Sequence, residues 1–458
     1  MDRGASEGER SEGKGDGPLN RALNRLKDDA AFDDVLSNPK AFRFQCSLKT
    51  CNEDEHNPRG MMRYVYRSDE EYFYPASTIK VCVAVAALHV LRRVVFSSPG
   101  GLLGQSFGIT TPLIFHYRRR MEEGNSREKD MVCTIGTDST NKSQCRITLG
   151  HLIRNVFLVS SNGAFNLLLD FVGRKTLQKF LSSKLGFRHF RIEHYLQDSG
   201  FGPQPGVVDG LLGVEATMAT GLVVGLRCGD AFCDGIDCRG NASSQLEGVV
   251  APLFEDCLVG TRHVSTAGDW DRAAGDRDDG GRIVHDGPKD FRGKNQASLT
   301  ELQDFLSLVV RPDLHGAGSA SGEMLSFPDR LWLMEAMAKG TTDSFNPEYL
   351  EGGDGEYFYE WNKFFLPGVK KARDSRAFRI YNKLGQAYGF SLDNAYVFDV
   401  ETGKSFFLAA CIYTNANGVL NDGEGNYEYE QIAHPFLASL AEACCLELGF
   451  VNHDSSTH

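Results

Sequence analysis

The sequence predicts an α/β chain of the α+β kind, on three observations. Strand-like alternation is confined to two blocks, residues 42–66 and 378–414. Helical periodicity fills much of the stretch between them. Helical patterns also stand before the first block and after the last, giving the order helix, two strands, a long helical block, three strands, helix.

Each element has a local reason. Residues 1–18 hold Gly, Ser, Glu, Asp and Lys with almost no apolar content, too little to offset the entropy of ordering, so a disordered tail is expected. Leu19, Ala22, Leu23, Leu26, Ala30, Ala31 and Phe32 recur near a helical period and predict a leading helix. Residues 42–48 alternate as a half-buried strand does, and residues 61–66 read as its hairpin partner across a polar turn at 52–60. From Ile79 to Leu91 every residue is apolar except Lys80 and His89, which predicts a helix buried on most of its circumference. Residues 97–143 mix Gly-rich, basic (Arg118, Arg119, Arg120) and acidic stretches and read as loop. Thr148 opens a helix that runs to about Val159, and a second spans residues 162–172, leaving Ser160 on the connection.

The centre is less regular. Residues 217–226 look helical, whereas about 229–295 is charged, Gly-rich and aperiodic and reads as a long irregular insertion. Ser298-Leu299-Thr300-Glu301 is a capping-box pattern that opens a further helix, and another follows over 329–338. Residues 378–381, 388–400 and 405–414 are strand patterns, with Glu401-Thr402-Gly403-Lys404 as the last turn, and residues 429–448 close the chain as a helix.

Ser77 and Lys80 lie three residues apart at the first turn of the buried helix, a spacing that stacks both side chains on one face. A serine hydroxyl needs an adjacent base to act as nucleophile, and a lysine removed from water is disfavoured in its charged form and can become that base. The pair alone fits a helix cap and a lysine that snorkels to the edge better than it fits a catalytic pair. Two further motifs bear on the choice: Ser160-Ser161-Asn162 at the junction of two helices and Lys383-Leu384-Gly385 before a run of strands.

These three elements, in this order, resemble the S-x-x-K, S-D-N and K-T-G motifs of class A β-lactamases and penicillin-binding proteins. Asn382 to Phe390, Asp393-Asn394-Ala395-Tyr396, Ile412-Tyr413-Thr414-Asn415 and Tyr427-Glu428-Tyr429 also resemble a branch of β-lactamase-related serine hydrolases. The likeness covers about residues 41–200 and 290–450. It implies a five-stranded antiparallel sheet with terminal helices facing an all-helical subdomain. Residues 19–455 would then be one catalytic domain, with a sheet part at 19–70 and 370–455 and a helical part at 71–369.

The resemblance also implies the roles. Ser77 is the nucleophile, Lys80 its base, and Ser160 the relay to the leaving group. Asn162 holds the substrate's amide side chain and bonds the active-site lysine, and Lys383 attracts the substrate carboxylate. The backbone N–H groups of Ser77 and Gln386 form the oxyanion hole, and Gly385 lets its strand approach the substrate. No metal or organic cofactor is expected.

Three positions depart from the pattern. Ser161 stands for Asp, Leu384 for Thr, and aligning Arg191 to Leu196 with the family's omega loop puts Leu196 where class A enzymes carry the glutamate that activates deacylating water. Glu193 and His194 are nearby substitutes, although Glu193 more naturally matches a structural acid. A β-lactam hydrolase, a penicillin-binding-protein-like peptidase, amidase or esterase, and a binding protein that keeps only the fold are therefore all in play, with a small molecule or peptide as partner.

Composition excludes other classes. A formal charge of -12 argues against nucleic acid or an anionic membrane as partner. No window approaches the ~18 apolar residues of a membrane span, and the N-terminus has no apolar signal core, so a cytoplasmic setting is expected. Twelve cysteines spread through a chain of this length make no compact disulfide framework. Cys228, Cys233 and Cys238 are evenly spaced but lack the C-x-x-C knuckle of a structural zinc site.

Overall fold

A computed structural model describes residues 9–11, 17–27, 29–54, 57–97, 107–119, 132–139, 145–196, 201–203, 208–221, 223–226, 254, 256–265, 276–277, 283–315, 324–351, 357–423 and 426–452. In chain order, β1 (Glu9–Ser11) and α1 (Pro18–Leu26) are followed by α2 (Asp33–Ser37), β2 (Gln45–Asp54) and β3 (Asn57–Tyr66). A 3-10 turn, Ala76–Ile79, runs directly into α3 (Lys80–Ser97). Then come β4 (Leu113–Arg119), β5 (Val132–Ile135), α4 (Leu149–Leu158), α5 (Asn162–Val172), α6 (Arg174–Lys179), β6 (Val208–Thr217) and β7 (Val223–Leu226). Five short strands follow, β8 (Leu258–Val259), β9 (Arg262–Ser265), β10 (Asp276–Arg277), β11 (Ile283–Asp286) and β12 (Lys289–Asp290). The chain closes with α7 (Leu299–Val310), α8 (Phe327–Ala338), α9 (Leu366–Ala372), β13 (Phe378–Asn382), β14 (Gly385–Ala387), β15 (Phe390–Asp399), β16 (Ser405–Tyr413), β17 (Val419–Leu420) and α10 (His434–Leu448).

The chain divides into two compact units. The first comprises Met1–Thr78, Pro252–Gly322 and Lys363–His458, the second Ile79–Ala251 and Glu323–Asn362.

The first unit is built on a sheet in the order β1-β3-β2-β16-β15-β13, with β14 also paired to β15. Its two faces can be told from neighbouring residues of β2. Cys46 lies beside Cys444 of α10, whereas the Ser47 hydroxyl donates to Gln303 of α7 at 2.8 Å, so successive side chains meet different helices. β15 and β16, covered on both faces, are buried along almost their whole length. α1 is held to α10 by Arg21 and Arg25, which both reach Glu447. The Ser298 cap accepts the Glu301 N–H as its sequence motif predicts.

The second unit holds α3 to α6, α8 and a four-stranded antiparallel sheet in the order β5-β4-β6-β7. α3 is buried continuously from Lys80 to Leu91, as its composition predicts.

The α+β class holds, and its details are corrected in five places. The main sheet has the five expected strands plus β1 and β14. β1 lies inside the tail expected to be disordered and pairs in parallel with β3. The helical part is not all helical, because β4 and β5 fall in the expected 97–143 loop and β6 and β7 replace the helix expected at 217–226. Gly221, at φ +81, supplies the turn that breaks the apparent helical period there. The insertion expected to be irregular carries β8 to β12, in the sheets β10-β11-β9-β17 and β12-β8. The first hairpin turn is also tighter than expected, since β2 continues to Asp54 and β3 begins at Asn57.

Nine cysteines among the described residues are free thiols, and Cys46, Cys82, Cys257, Cys411, Cys444 and Cys445 are buried. The Cys228, Cys233 and Cys238 trio and Arg120 lie outside the described residues. Among the described residues no helix is long and apolar enough to cross a membrane.

Candidate active site

In the first unit Ser77 sits on the 3-10 turn, half-buried and flanked by buried Ala76 and Thr78. Ala76 has φ +46, a conformation that an L-residue with a Cβ adopts only against a steric cost of ~1–2 kcal/mol. Thr78 closes the turn by donating its N–H and its hydroxyl to the Pro75 carbonyl, at 3.1 and 2.6 Å. Against this turn lies β14. A Cβ on Gly385 would stand 2.8 Å from Pro75 O, 2.9 Å from Ser77 N and 3.0 Å from Thr78 N, so only glycine allows the strand to come this close.

Lys383 and Leu384 form the link between β13 and β14. Lys383 is buried, and its Nζ donates to the Leu384 carbonyl at 2.8 Å. Burial pulls its ammonium down to about 7, with Lys363 reinforcing the effect and Asp393 opposing it. The supporting residues form a buried polar group that sequence reasoning missed. Lys363 Nζ donates to Asn382 Oδ1 at 2.7 Å, and Asn382 Nδ2 donates to Asp393 Oδ1 at 2.8 Å. Asp393 also accepts the N–H groups of Phe365 and Asn394. Burial nonetheless pushes its carboxyl up.

In the second unit the structure brings Lys80, Ser160 and Asn162 together. Lys80 is buried, and its Nζ donates to the Ser160 carbonyl, to Ser160 Oγ at 3.4 Å and to Asn162 Oδ1 at 2.6 Å. Three oxygens around one nitrogen match the three donors of an ammonium. Ser160 bridges α4 and α5 at φ +51, and Ser161, in place of the family's Asp, caps α5 by accepting the Ala164 N–H. The Ser161 N–H donates to Asn155 O, and Asn155 belongs to a buried group with His151 and Asp138 that half-buried Tyr349 joins. The Ser160 corner is thus braced from α4.

The segment after residue 191 is tied to the same helix. Asn166, one turn beyond Asn162 and so on the same face, accepts the Leu196 N–H at 2.9 Å and donates to Leu196 O at 2.8 Å. Gly163 meets the Phe201 carbonyl so closely that a Cβ would lie 1.8 Å from it. Leu196 is buried. Glu193 is engaged by Arg191 at 2.8 Å, and His194 Nδ1 lies 2.7 Å from Tyr195 O. Asn166 is legible in the sequence only as a polar residue in an otherwise apolar helical run.

Gln386 follows Gly385 on β14, and its side chain is exposed. Its Oε1 lies 2.7 Å from His434 Nε2 at the start of α10, a partner that no sequence motif indicates. Among the described residues no cluster of three or more His, Cys, Asp or Glu could hold a metal ion.

Residues 117–216 match the Beta-lactamase enzyme family. That stretch includes Ser160, Asn162 and Leu196 but neither Ser77, Lys80 nor Lys383. The superfamily indicated by the motifs and by this match is the same, that of the beta-lactamase and penicillin-binding-protein-like serine hydrolases. No curated protein matches the chain. Similar solved structures include the chromosome-encoded beta-lactamase of Vibrio parahaemolyticus, 13% identical, covering 91% of this chain and 98% of that one at a TM-score of 0.43. A beta-lactamase from Desulfarculus baarsii is 14% identical over 95% and 99% of the two chains at 0.43, and a class A beta-lactamase from Mycobacterium abscessus is 15% identical over 92% and 99% at 0.40.

Proposed function

We propose that this chain is a serine acyl hydrolase of the class A beta-lactamase type, acting on β-lactams or related amides and esters through an acyl-Ser77 intermediate. The observation that carries the reading is the bonding of Lys80 to both Ser160 and Asn162, which joins two motifs that lie far apart in the sequence. In this mechanism Ser77 Oγ bonds to the substrate carbonyl carbon as its proton passes to Lys80. The Lys80 ammonium so formed has three oxygens to receive it. Lys80 then passes that proton to Ser160 Oγ, 3.4 Å from its Nζ, as Ser160 delivers its own to the leaving nitrogen or oxygen and the bond to the carbonyl carbon breaks. The N–H groups of Ser77 and Gln386 stabilise the oxyanion, a contribution of roughly 3 kcal/mol for one donor. Lys383, where charged, attracts a substrate carboxylate.

Leu196 favours a second reading. Its apolar side chain supplies no base for a deacylating water, so a β-lactam adduct should persist, as suits a penicillin-binding-protein-like peptidase, amidase or esterase.

Intact-protein mass spectrometry after incubation with benzylpenicillin tests both. A penicilloyl adduct on the wild type that is absent from Ser77→Ala supports the acyl-serine route, and faster adduct decay in Leu196→Glu supports the alignment of that loop. Turnover of peptides or simple esters without β-lactam turnover favours the second reading. No adduct with any acyl donor leaves only a binding protein.

A further inference from the structure

Lys363, Asn382 and Asp393 form a chain of contacts closed to solvent, each residue no more than 3% exposed. The Asn382 carboxamide is held at both ends. Its oxygen accepts from Lys363 Nζ at 2.7 Å, and its nitrogen donates to Asp393 Oδ1 at 2.8 Å. Asp393 also accepts the Phe365 and Asn394 N–H groups, at 3.2 and 2.9 Å, so it faces the carboxamide as an acceptor, whereas a lysine ammonium only donates. The network therefore fixes which end of the amide is which. All of these residues belong to the first unit.

The same contacts bring an amine to a carbonyl carbon. Nζ, 2.7 Å from Oδ1, lies within about 4 Å of Asn382 Cγ, given a C=O bond of ~1.2 Å. A turn about the last torsions of the lysine carries it from the oxygen to the face of that carbon. A nucleophile confined at this range has a high effective concentration, and burial keeps water from competing for the carbonyl. Asp393, bonded to the amide nitrogen, stands where a leaving nitrogen needs a proton. Burial pushes its carboxyl up, towards the form that carries one.

We infer that Lys363 and Asn382 become joined by a side-chain amide bond that the protein forms on itself, with Asp393 as acid and base and ammonia as the leaving group. The proton of the Lys363 ammonium passes to Asp393, which leaves an amine and a carboxylic acid. The amine lone pair forms a bond to Asn382 Cγ. As the Cγ–Nδ2 bond breaks, Asp393 gives its proton to Nδ2, and the carboxylate so formed takes the proton that Nζ sheds. One amide replaces another, ammonia departs, and Asp393 ends as the acid. No oxidant or cofactor is consumed, and the bond forms whether or not Ser77 is ever acylated. Asn382 ends β13 directly before Lys383, and Lys363 leads into α9, which lies so close to α10 that a Cβ on Gly368 would stand 1.7 Å from Ala438 O. The bond thus ties the link that carries Lys383 to the helices packed at that side of the sheet.

Mass spectrometry of the full-length protein tests it, first intact and then after digestion. The wild type should weigh about 17 Da less than its sequence requires, the mass of one ammonia. Trypsin should leave residues 340–370 uncut at Lys363 and joined to residues 380–383 in one branched peptide. Lys363→Arg and Asp393→Ala should each show the full mass of their own sequences, with no branched peptide. Wild-type protein at full mass, digested to separate peptides 340–363, 364–370 and 380–383, overturns the proposal, and this result does not depend on whether either variant folds. A loss of one ammonia confined to an unbranched peptide, as a cyclised asparagine gives, overturns it as well. A branched peptide that persists in Asp393→Ala overturns the role given to Asp393.

Discussion

Lys383 is a cation buried at the edge of a strand, and burial brings its pKa to about 7 against 10.5 when unfolded. Between those values the unfolded chain binds a proton that the native chain has released, so stability should rise as pH climbs from about 7 towards 10.5. Below about 7 the native state carries the whole penalty. Lys383→Met should therefore be more stable than wild type at pH 6, by something on the order of 2–5 kcal/mol, with the gap closing towards pH 10 in urea unfolding curves. The same substitution should weaken acylation by carboxylate-bearing donors, and in wild type that acylation should fall as pH rises through about 7. Gly385 gives the opposite kind of variant. Gly385→Ala sets a methyl within 3.0 Å of three backbone atoms of the Ser77 turn, which cannot yield as a side chain would. A loss of ~1–3 kcal/mol in thermal unfolding, and a larger loss of acylation rate, should follow.

α3 shows how an element can be legible in outline and still hold an unread detail. Its apolar run, interrupted only by Lys80 and His89, predicts burial, and burial is what the structure shows. The sequence gives no sign of what His89 meets: Met324 O lies 3.2 Å from Nδ1, and Lys184 Nζ lies 3.3 Å from Nε2. Burial and the neighbouring Lys184 lower the ring to about 4. A ring kept neutral in the fold contributes stability that is complete above 6.5 and lost as pH falls from 6.5 to about 4. That loss is about 3 kcal/mol, and it should flatten in His89→Gln when acid unfolding is followed by circular dichroism. The α4–α5 corner was legible because Thr148 and Ser161 are cap residues placed where periodicity restarts. β4 was not, although Leu113, Phe115 and Tyr117 alternate as buried residues, because six residues of alternation are easily lost beside a charged stretch. β14 is shorter still, and three residues carry no period. Of the site, the candidate residues stand out by motif, whereas Asn166, Lys363 and His434 make contacts far along the chain and leave no local pattern.

The first unit is organised by a sheet drawn from both ends of the sequence: β16 pairs with β2 from Ser405↔Cys51 to Cys411↔Gln45. Closing so long a loop delays the central pairing, so slow folding is expected. A chain ending before Ser405 lacks β16 and α10 and leaves one edge of β2 and one edge of β15 unpaired. It should lose cooperative unfolding of the first unit and bind a hydrophobic dye, as calorimetry and dye fluorescence would report. The distribution of sulfur has a use of its own. Cys46, Cys411, Cys444 and Cys445 are shut inside the first unit and Cys82 inside the second, and burial raises the thiols of the first four. An alkylating reagent can react with them only during openings of the interior. Peptide mapping of which sulfur is blocked, minute by minute, would make the protein its own recorder of how often each half breathes.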